Sequence, residues 1–133
     1  MKKMIASTEL YSLSVDSTRN RIYYTMIGFW QDTSKLARYQ EDWENVLGCL
    51  SGNFTILSDL TEFRLLPPGL VERAAKHQKK LIDAGLVAFA EIRLEAAITA
   101  LQLNRISDIS GIEKRIFTDW NDAESWLDSF QLS

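Results

Sequence analysis

Apolar residues in this chain recur first with a period of two and later with a period of three to four. Over residues 9–15, Tyr11, Leu13 and Val15 alternate with Leu10, Ser12 and Ser14, the pattern of a half-buried strand. Asp16, Ser17, Thr18, Arg19 and Asn20 supply turn chemistry. Residues 21–29, rich in Ile, Tyr, Thr and Met, read as a second strand that pairs with the first as a hairpin. Gly28, Phe29 and Trp30 close it. Asp32, Thr33 and Ser34 offer N-caps. Leu36, Tyr39, Gln40, Trp43, Val46, Leu47 and Leu50 then recur at helical spacing, predicting a helix that runs to about Cys49.

The stretch over residues 54–80 organises the rest. Phe54, Ile56, Leu57 and Leu60 form a short apolar run punctuated by Gly52 and Asn53, as in a strand covered on both faces. A polar loop over residues 61–67 is expected next. Pro67 and Pro68 forbid helix before them and suit the first turn of a helix after them. Leu70, Val71, Ala74, Ala75, Gln78, Leu81 and Ile82 make one helical stripe, and Gly85 is placed to end it as a left-handed cap.

Residues 86–92 are apolar apart from Glu91, as in a central strand, and residues 94–105 read as a helix. A turn over 107–111 leads to a more polar strand over 112–117, anchored by Ile116 and Phe117. Asn121 with Glu124 reads as a capping box for a last helix, whose stripe is Ala123, Trp126, Leu127 and Phe130. This order predicts the α/β class: a mostly parallel sheet of about five strands, an N-terminal β-hairpin and four helices. A single domain is expected, with its core over about residues 9–131.

The 133 residues suffice for a real core, and 46% hydrophobic with 25% charged residues is ordinary for a globular protein. A net charge of −3 argues against nucleic acid as a partner. The single cysteine, Cys49, rules out an internal disulfide and suits a reducing compartment. The first residues lack a signal-peptide core, and no apolar run approaches the roughly 20 residues of a spanning helix. A cytoplasmic location is the expectation.

The element order, with these residues, resembles the SpoIIAA-like or STAS/SEC14-like family of small bacterial proteins. The carriers are Gly28-Phe29-Trp30, Tyr39 with Asp42-Trp43, Ser58-Asp59-Leu60-Thr61, and Ile116-Phe117-Thr118-Asp119 with Ala123 and Trp126-Leu127. The resemblance covers residues 11–127. It implies a STAS-like fold without catalytic residues. The wider group includes anti-sigma-factor antagonists, which bind partner proteins and are switched by serine phosphorylation. Asp59-Leu60-Thr61 is similar to the first half of their motif. The second half, an Asp-Ser-x-Gly, is replaced by Leu66-Pro67-Pro68-Gly69, and proline has no hydroxyl to phosphorylate. Other relatives are described as lipid-binding or membrane-associated; no residue here specifically selects a membrane or lipid contact.

Ligands of open α/β sheets lie beyond the carboxyl ends of the strands. That edge is expected to present Trp30, Asp59, Thr61, Arg64, Arg93 and Asp119, the candidates for ligand or partner binding. For Asp59 the favoured reading is a cap or loop anchor that satisfies backbone N–H groups. Thr61 is a candidate phosphoacceptor or a turn residue, and Arg64 a partner for a carboxylate or phosphate or a solvated side chain. His77 reads as a boundary residue of its helix rather than a general base, because no nucleophile or carboxylate stands at a recognisable spacing. Trp30, Tyr39 and Trp43 are candidates for lining a pocket, the latter two also for the core. Arg73, Lys76, His77, Lys79 and Lys80 make the outer face of the second helix basic, a solvated face first and a surface for an acidic partner or membrane headgroups second, and Asp119, Asp122, Glu124 and Asp128 make the last helix acidic.

In the 94–105 helix, Leu94, Ala97, Ile98 and Leu101 lie on one side and Ala96, Ala100 and Leu103 on nearly the opposite side. Such a helix is buried twice or joins another chain, as in a homodimer. One cysteine and one histidine cannot make a usual zinc site, and no glycine-rich phosphate loop or paired carboxylates appear, so neither metal nor cofactor is expected. Two functions follow. The first is a non-enzymatic regulatory or protein-interaction module. The second is a carrier or sensor of a small apolar or lipid-like ligand, which requires a dry apolar cavity near Trp30 and residues 65–66; tight packing there would favour the first. An enzyme comes third.

Overall fold

The computed structural model describes residues 2–93 and 97–130. Six strands form one sheet in sequential order: β1 (Lys2–Ser7), β2 (Tyr11–Asp16), β3 (Arg21–Phe29), β4 (Phe54–Leu65), β5 (Leu86–Ile92) and β6 (Lys114–Phe117). The first two pairings are antiparallel and the last three parallel. The helices are α1 (Tyr39–Leu47), α2 (Pro68–Ala84), α3 (Ala97–Ser110) and α4 (Trp120–Asp128), with a 3-10 turn (Thr33–Leu36) before α1. The expected α/β class holds. The count is six strands instead of about five, because the N-terminal segment adds a strand to the outer edge of β2. That segment is largely exposed and carries no alternation for sequence reading to detect.

A strand order that advances by one at each parallel step, with right-handed crossovers, drops every crossover helix on the same face. Trp43 and Val46 of α1, Val71, Ala75 and Leu81 of α2, and Leu103 and Ile106 of α3 accordingly share one buried cluster. From the sheet this cluster takes Tyr11, Leu13, Val15, Ile22, Tyr24, Phe54, Ile56, Leu60 and Phe89. α4 follows the last strand and covers the other face, where Ala123 and Leu127 meet Tyr23, Leu57, Ala88, Ala90 and Ile92. Strand periodicity sorts these sets: Tyr24, Ile56 and Phe89 look one way, and Tyr23, Leu57 and Ala88 the other.

Pro68 opens α2 and Gly85 ends it at φ 116°, as the sequence indicates. A side chain at Gly85 would bring its Cβ to 2.9 Å from the Asn53 backbone nitrogen, so this cap has room only for glycine. The hairpin turn also forms as read: Asp16 accepts from Thr18 and Arg19 backbone N–H groups, and Asn20 takes φ 54°.

Three local expectations are corrected. Residues 61–65 are not a loop; β4 continues to Leu65, pairing with Ile27, Gly28 and Phe29 of β3. β5 already ends opposite Asp59, so the extension has a strand on one side only. On its other side α3 supplies the partners: Thr99 Oγ1 donates to the Arg64 carbonyl, and Gln102 both donates to the Leu66 carbonyl and accepts from its N–H. Asp119, not Asn121, caps α4, accepting from the Asp122 N–H. Glu124 cannot reach back as a capping box because Arg21 and Tyr23 hold its carboxylate. Ile116, expected as an anchor, is exposed on the short edge strand β6.

Candidate functional site

β3 and β4 place Tyr24, Ser58, Leu60 and Phe63 on the α1–α3 side of the sheet, and β5 adds Phe89 and Glu91. Together with Trp30, Leu66 and the inward faces of the three helices they line a cavity of about 500 Å³. Its deep walls are mostly apolar, with Leu60, Phe63, Leu66, Phe89, Leu103 and Ile106, and include the buried polar side chains of Ser58 and Glu91. This volume falls in the usual range of small-molecule sites. The rim is polar, with exposed Gln40 and Glu44 from α1 and exposed Arg73, Lys76 and Lys80 from α2. The mouth therefore lies between α1 and α2.

An aromatic group forms the wall near this mouth. Tyr39 meets Trp30 and Tyr11 edge-on, Tyr24 meets Trp43 in the same way, and His77 packs on Trp43 with ring centroids 4.4 Å apart. The Tyr24 and Tyr39 hydroxyls bond each other at 2.8 Å. Burial pushes Tyr39 up to about 12, and Tyr24 is raised well above its ordinary value, so both stay protonated near neutral pH. Tyr11 donates to Asp42 at 2.6 Å and so ties α1 to β2 beneath this wall. Burial, with the charge of Lys80 adding to it, pulls the His77 imidazole down to about 4. His77 is thus neutral in the folded chain. Two buried nitrogens in this wall, His77 Nε2 and Trp43 Nε1, make no hydrogen bond of ordinary geometry, although the Trp43 ring lies beside Tyr39.

The residues singled out in the sequence are divided by the fold. Trp30 is buried, donates to the Leu10 carbonyl and lines the cavity. Arg93 is also buried on that face, bonded to Glu91 and to Asn104 of α3. Lys114 completes this group by donating to Glu91 at 3.0 Å; burial lowers its pKa while Glu91 opposes the shift. Asp59 and Asp119 belong to the α4 side. Asp59 accepts from the Thr61 backbone and hydroxyl and from Trp120 Nε1, and Asp119 is the cap of α4. The Thr61 hydroxyl is engaged by that carboxylate, against which a phosphoryl group would set its charge. Arg64 is exposed beyond the end of β5 and donates to the carbonyls of Thr61 and Phe63.

Leu101 faces solvent and Leu103 the core. The other apolar positions read on the Leu101 side of the 94–105 helix, Leu94, Ala97 and Ile98, and Ala96 on the opposite side, lie outside the residues whose side chains are described. Among the described residues no cluster of His, Cys, Asp and Glu could hold a metal ion, and no helix is long and apolar enough to cross a membrane. The importance of His77 and Tyr24 to the cavity was not legible in the sequence. The alternation of Tyr24 and Met26 signals an inward face, but not a space in front of it.

No protein-family model matches the chain, and no curated protein is similar to it in sequence. Among solved structures it is similar to an uncharacterized protein of the DUF3478 family with a SpoIIAA-like fold, from Shewanella loihica PV-4. The identity is 16%, the match covers 94% of this chain and 99% of that one, and the TM-score is 0.62. Two antiparallel strands leading into parallel β-α steps, three helices on one face and one on the other, make this chain a SpoIIAA-like fold.

Proposed function

We propose that this protein is a non-enzymatic carrier or sensor that receives a small apolar or lipid-like ligand between the sheet and helices α1–α3. One observation carries this reading: the cavity of about 500 Å³, with mostly apolar deep walls, that reaches Trp30 and Leu66. Close packing is the rule in protein interiors, and a space of this size whose inner lining is mainly Leu, Ile, Phe and other apolar side chains favours an apolar occupant. The charged side chains of this face support no reaction. Glu91 is neutralised by Arg93 and Lys114, and His77 has no nucleophile or carboxylate among its described contacts. The alternative, a regulatory module that works by surface docking alone, fits less well because it gives the cavity no role.

Native mass spectrometry of protein purified from its own cells tests the proposal, with titration of the stripped protein by an environment-sensitive apolar dye. A bound small molecule or a stoichiometric, saturable dye site is expected. Ala74→Phe, which fills the cavity from α2, should abolish dye binding in a folded protein. A bare protein that binds no dye, or dye binding indifferent to Ala74→Phe, would overturn the proposal.

A further inference from the structure

We infer that the cavity selects a phosphate monoester of a single alkyl chain, with the chain inside and the phosphate held at the mouth by Arg73, Lys76 and Lys80. The inference rests on the reading of the cavity as a ligand site and concerns what that site selects. Two sets of cations stand near this cavity, and they differ. The deep set, Arg93 and Lys114, is engaged by the buried carboxylate of Glu91. The rim set, Arg73, Lys76 and Lys80, lines the mouth from α2 and is exposed. Among the described residues, no hydrogen bond or ion pair engages these three charged groups. They stand three and four positions apart, so they share one edge of the helix, about 10 Å long. Arginine and lysine lay their stems along apolar surface and keep the charge in water. Here that arrangement sets three charges along the lip of a mostly apolar space.

The balance of charge names the head group. Across the mouth, α1 contributes one exposed carboxylate to the lining, that of Glu44. Three cations against this carboxylate leave two positive charges over. A phosphate monoester carries about −1.5 to −2 near neutral pH and balances them, whereas a carboxylate balances one. Its acceptor oxygens can meet more than one cation, and the arginine fork fits two of them. A neutral head would leave the repulsion among the three cations in place, and an ammonium head would add to it. The chain then runs inward among Leu60, Phe63, Phe89 and Ile106. Glu91 is already answered by Arg93 and Lys114, so the inner end calls for no second polar group.

Calorimetric titration with decyl phosphate, decanoate, decan-1-ol and inorganic phosphate, all below micelle formation, separates the head from the chain. Decyl phosphate is expected to bind at least about tenfold more tightly than decan-1-ol, and more tightly than decanoate, since charge-assisted hydrogen bonds are the stronger ones. Inorganic phosphate, a head without a chain, is expected to bind at least about a hundredfold more weakly than decyl phosphate. Combining Arg73→Gln, Lys76→Gln and Lys80→Gln should remove most of the preference for decyl phosphate and leave decan-1-ol within about twofold. Lys79→Gln, on the same helix but outside the cavity lining, should change neither. All four altered side chains are exposed, so these variants keep the fold. Decyl phosphate bound no more tightly than decan-1-ol would overturn the head-group assignment and leave the cavity reading standing. A preference that survives the triple variant, or that Lys79→Gln weakens as much, would do the same. Decanoate equal to decyl phosphate would overturn the choice of phosphate, and inorganic phosphate equal to decyl phosphate would overturn the placing of the chain. Binding of none of the alkyl compounds would overturn this inference and the cavity reading together.

Discussion

Arg21 on β3 and Glu124 on α4 are joined by a hydrogen-bonded ion pair although 103 positions separate them. The Arg21 guanidinium is buried and also bonds Thr55 Oγ1 and Asp128. Tyr23 and Arg19 reach the same two carboxylates from β3 and its turn. The last helix is thus fastened to the sheet by charge at its outer side and by Ala123 and Leu127 beneath it. Arg21→Met should weaken this docking by about 1.5–3 kcal/mol, the usual worth of hydrogen bonds to charged groups. The partly exposed Glu124 keeps water as a partner, which holds the loss below that of a fully buried pair. The urea midpoint measures it. An unchanged midpoint would mean that apolar contact alone holds α4.

The Tyr11 hydroxyl and the Asp42 carboxylate are both buried, and Asp42 lies in the first turn of α1. Tyr11→Phe keeps the ring and removes the donor, stranding a carboxylate oxygen. A stability loss of about 1–3 kcal/mol is expected. Because α1 forms one side of the cavity mouth, amide exchange within α1 should accelerate ahead of exchange in β3 and β4. Exchange that rises uniformly would refute a local role for this bond.

His77 makes stability depend on pH in a defined direction. Its imidazole titrates at about 4 in the folded chain, against an ordinary 6.5. The unfolded chain therefore takes up a proton between these values that the folded chain refuses. The stability tied to neutral His77 is complete above pH 6.5 and is lost as pH falls from 6.5 towards 4. In thermal melts over that window the wild type should lose Tm more steeply than His77→Phe, which has no such proton to take up. Parallel slopes would contradict the burial of the ring.

Gly85 holds a left-handed backbone with the Asn53 nitrogen directly in the path of any Cβ. Gly85→Ala should cost more than about 1 kcal/mol, since strain and a backbone clash act together. Gly69, where a Cβ would meet nothing within 4 Å, provides the control: Gly69→Ala should be neutral or stabilising. Chemical denaturation of the two variants compares them. A loss at Gly69 equal to that at Gly85 would remove the clash as the cause.

Much of the fold was legible because its signals are local. The stripe of α2 between Pro68 and Gly85, the Tyr11-Leu13-Val15 alternation and the apolar run of β5 each specify an element within a few residues of themselves. The errors arose where a distant segment decides. Lys2–Ser7 has no apolar period and is a strand because β2 offers it an unpaired edge. Thr61–Leu65 looks like loop, with Glu62 and Arg64 exposed, and is a strand because β3 and α3 satisfy its backbone. Asn121 and Asp119 are both able caps, and Arg21, remote in sequence, claims the Glu124 that Asn121 would have needed.

What the sequence determined alone is which residues turn inward, since side-chain direction follows from helix and strand periods that depend only on neighbours. It placed Tyr39 and Trp43 on the inner face of a helix and Leu60 in a buried strand, and left Trp30, at a strand end, as the freer side chain. Only the tertiary structure decided that these faces do not close on one another. The distance between α1, α2 and the sheet is set by the summed packing of many elements, so the cavity, and the two buried nitrogens of Trp43 and His77 in its wall, belong to no single stretch of chain.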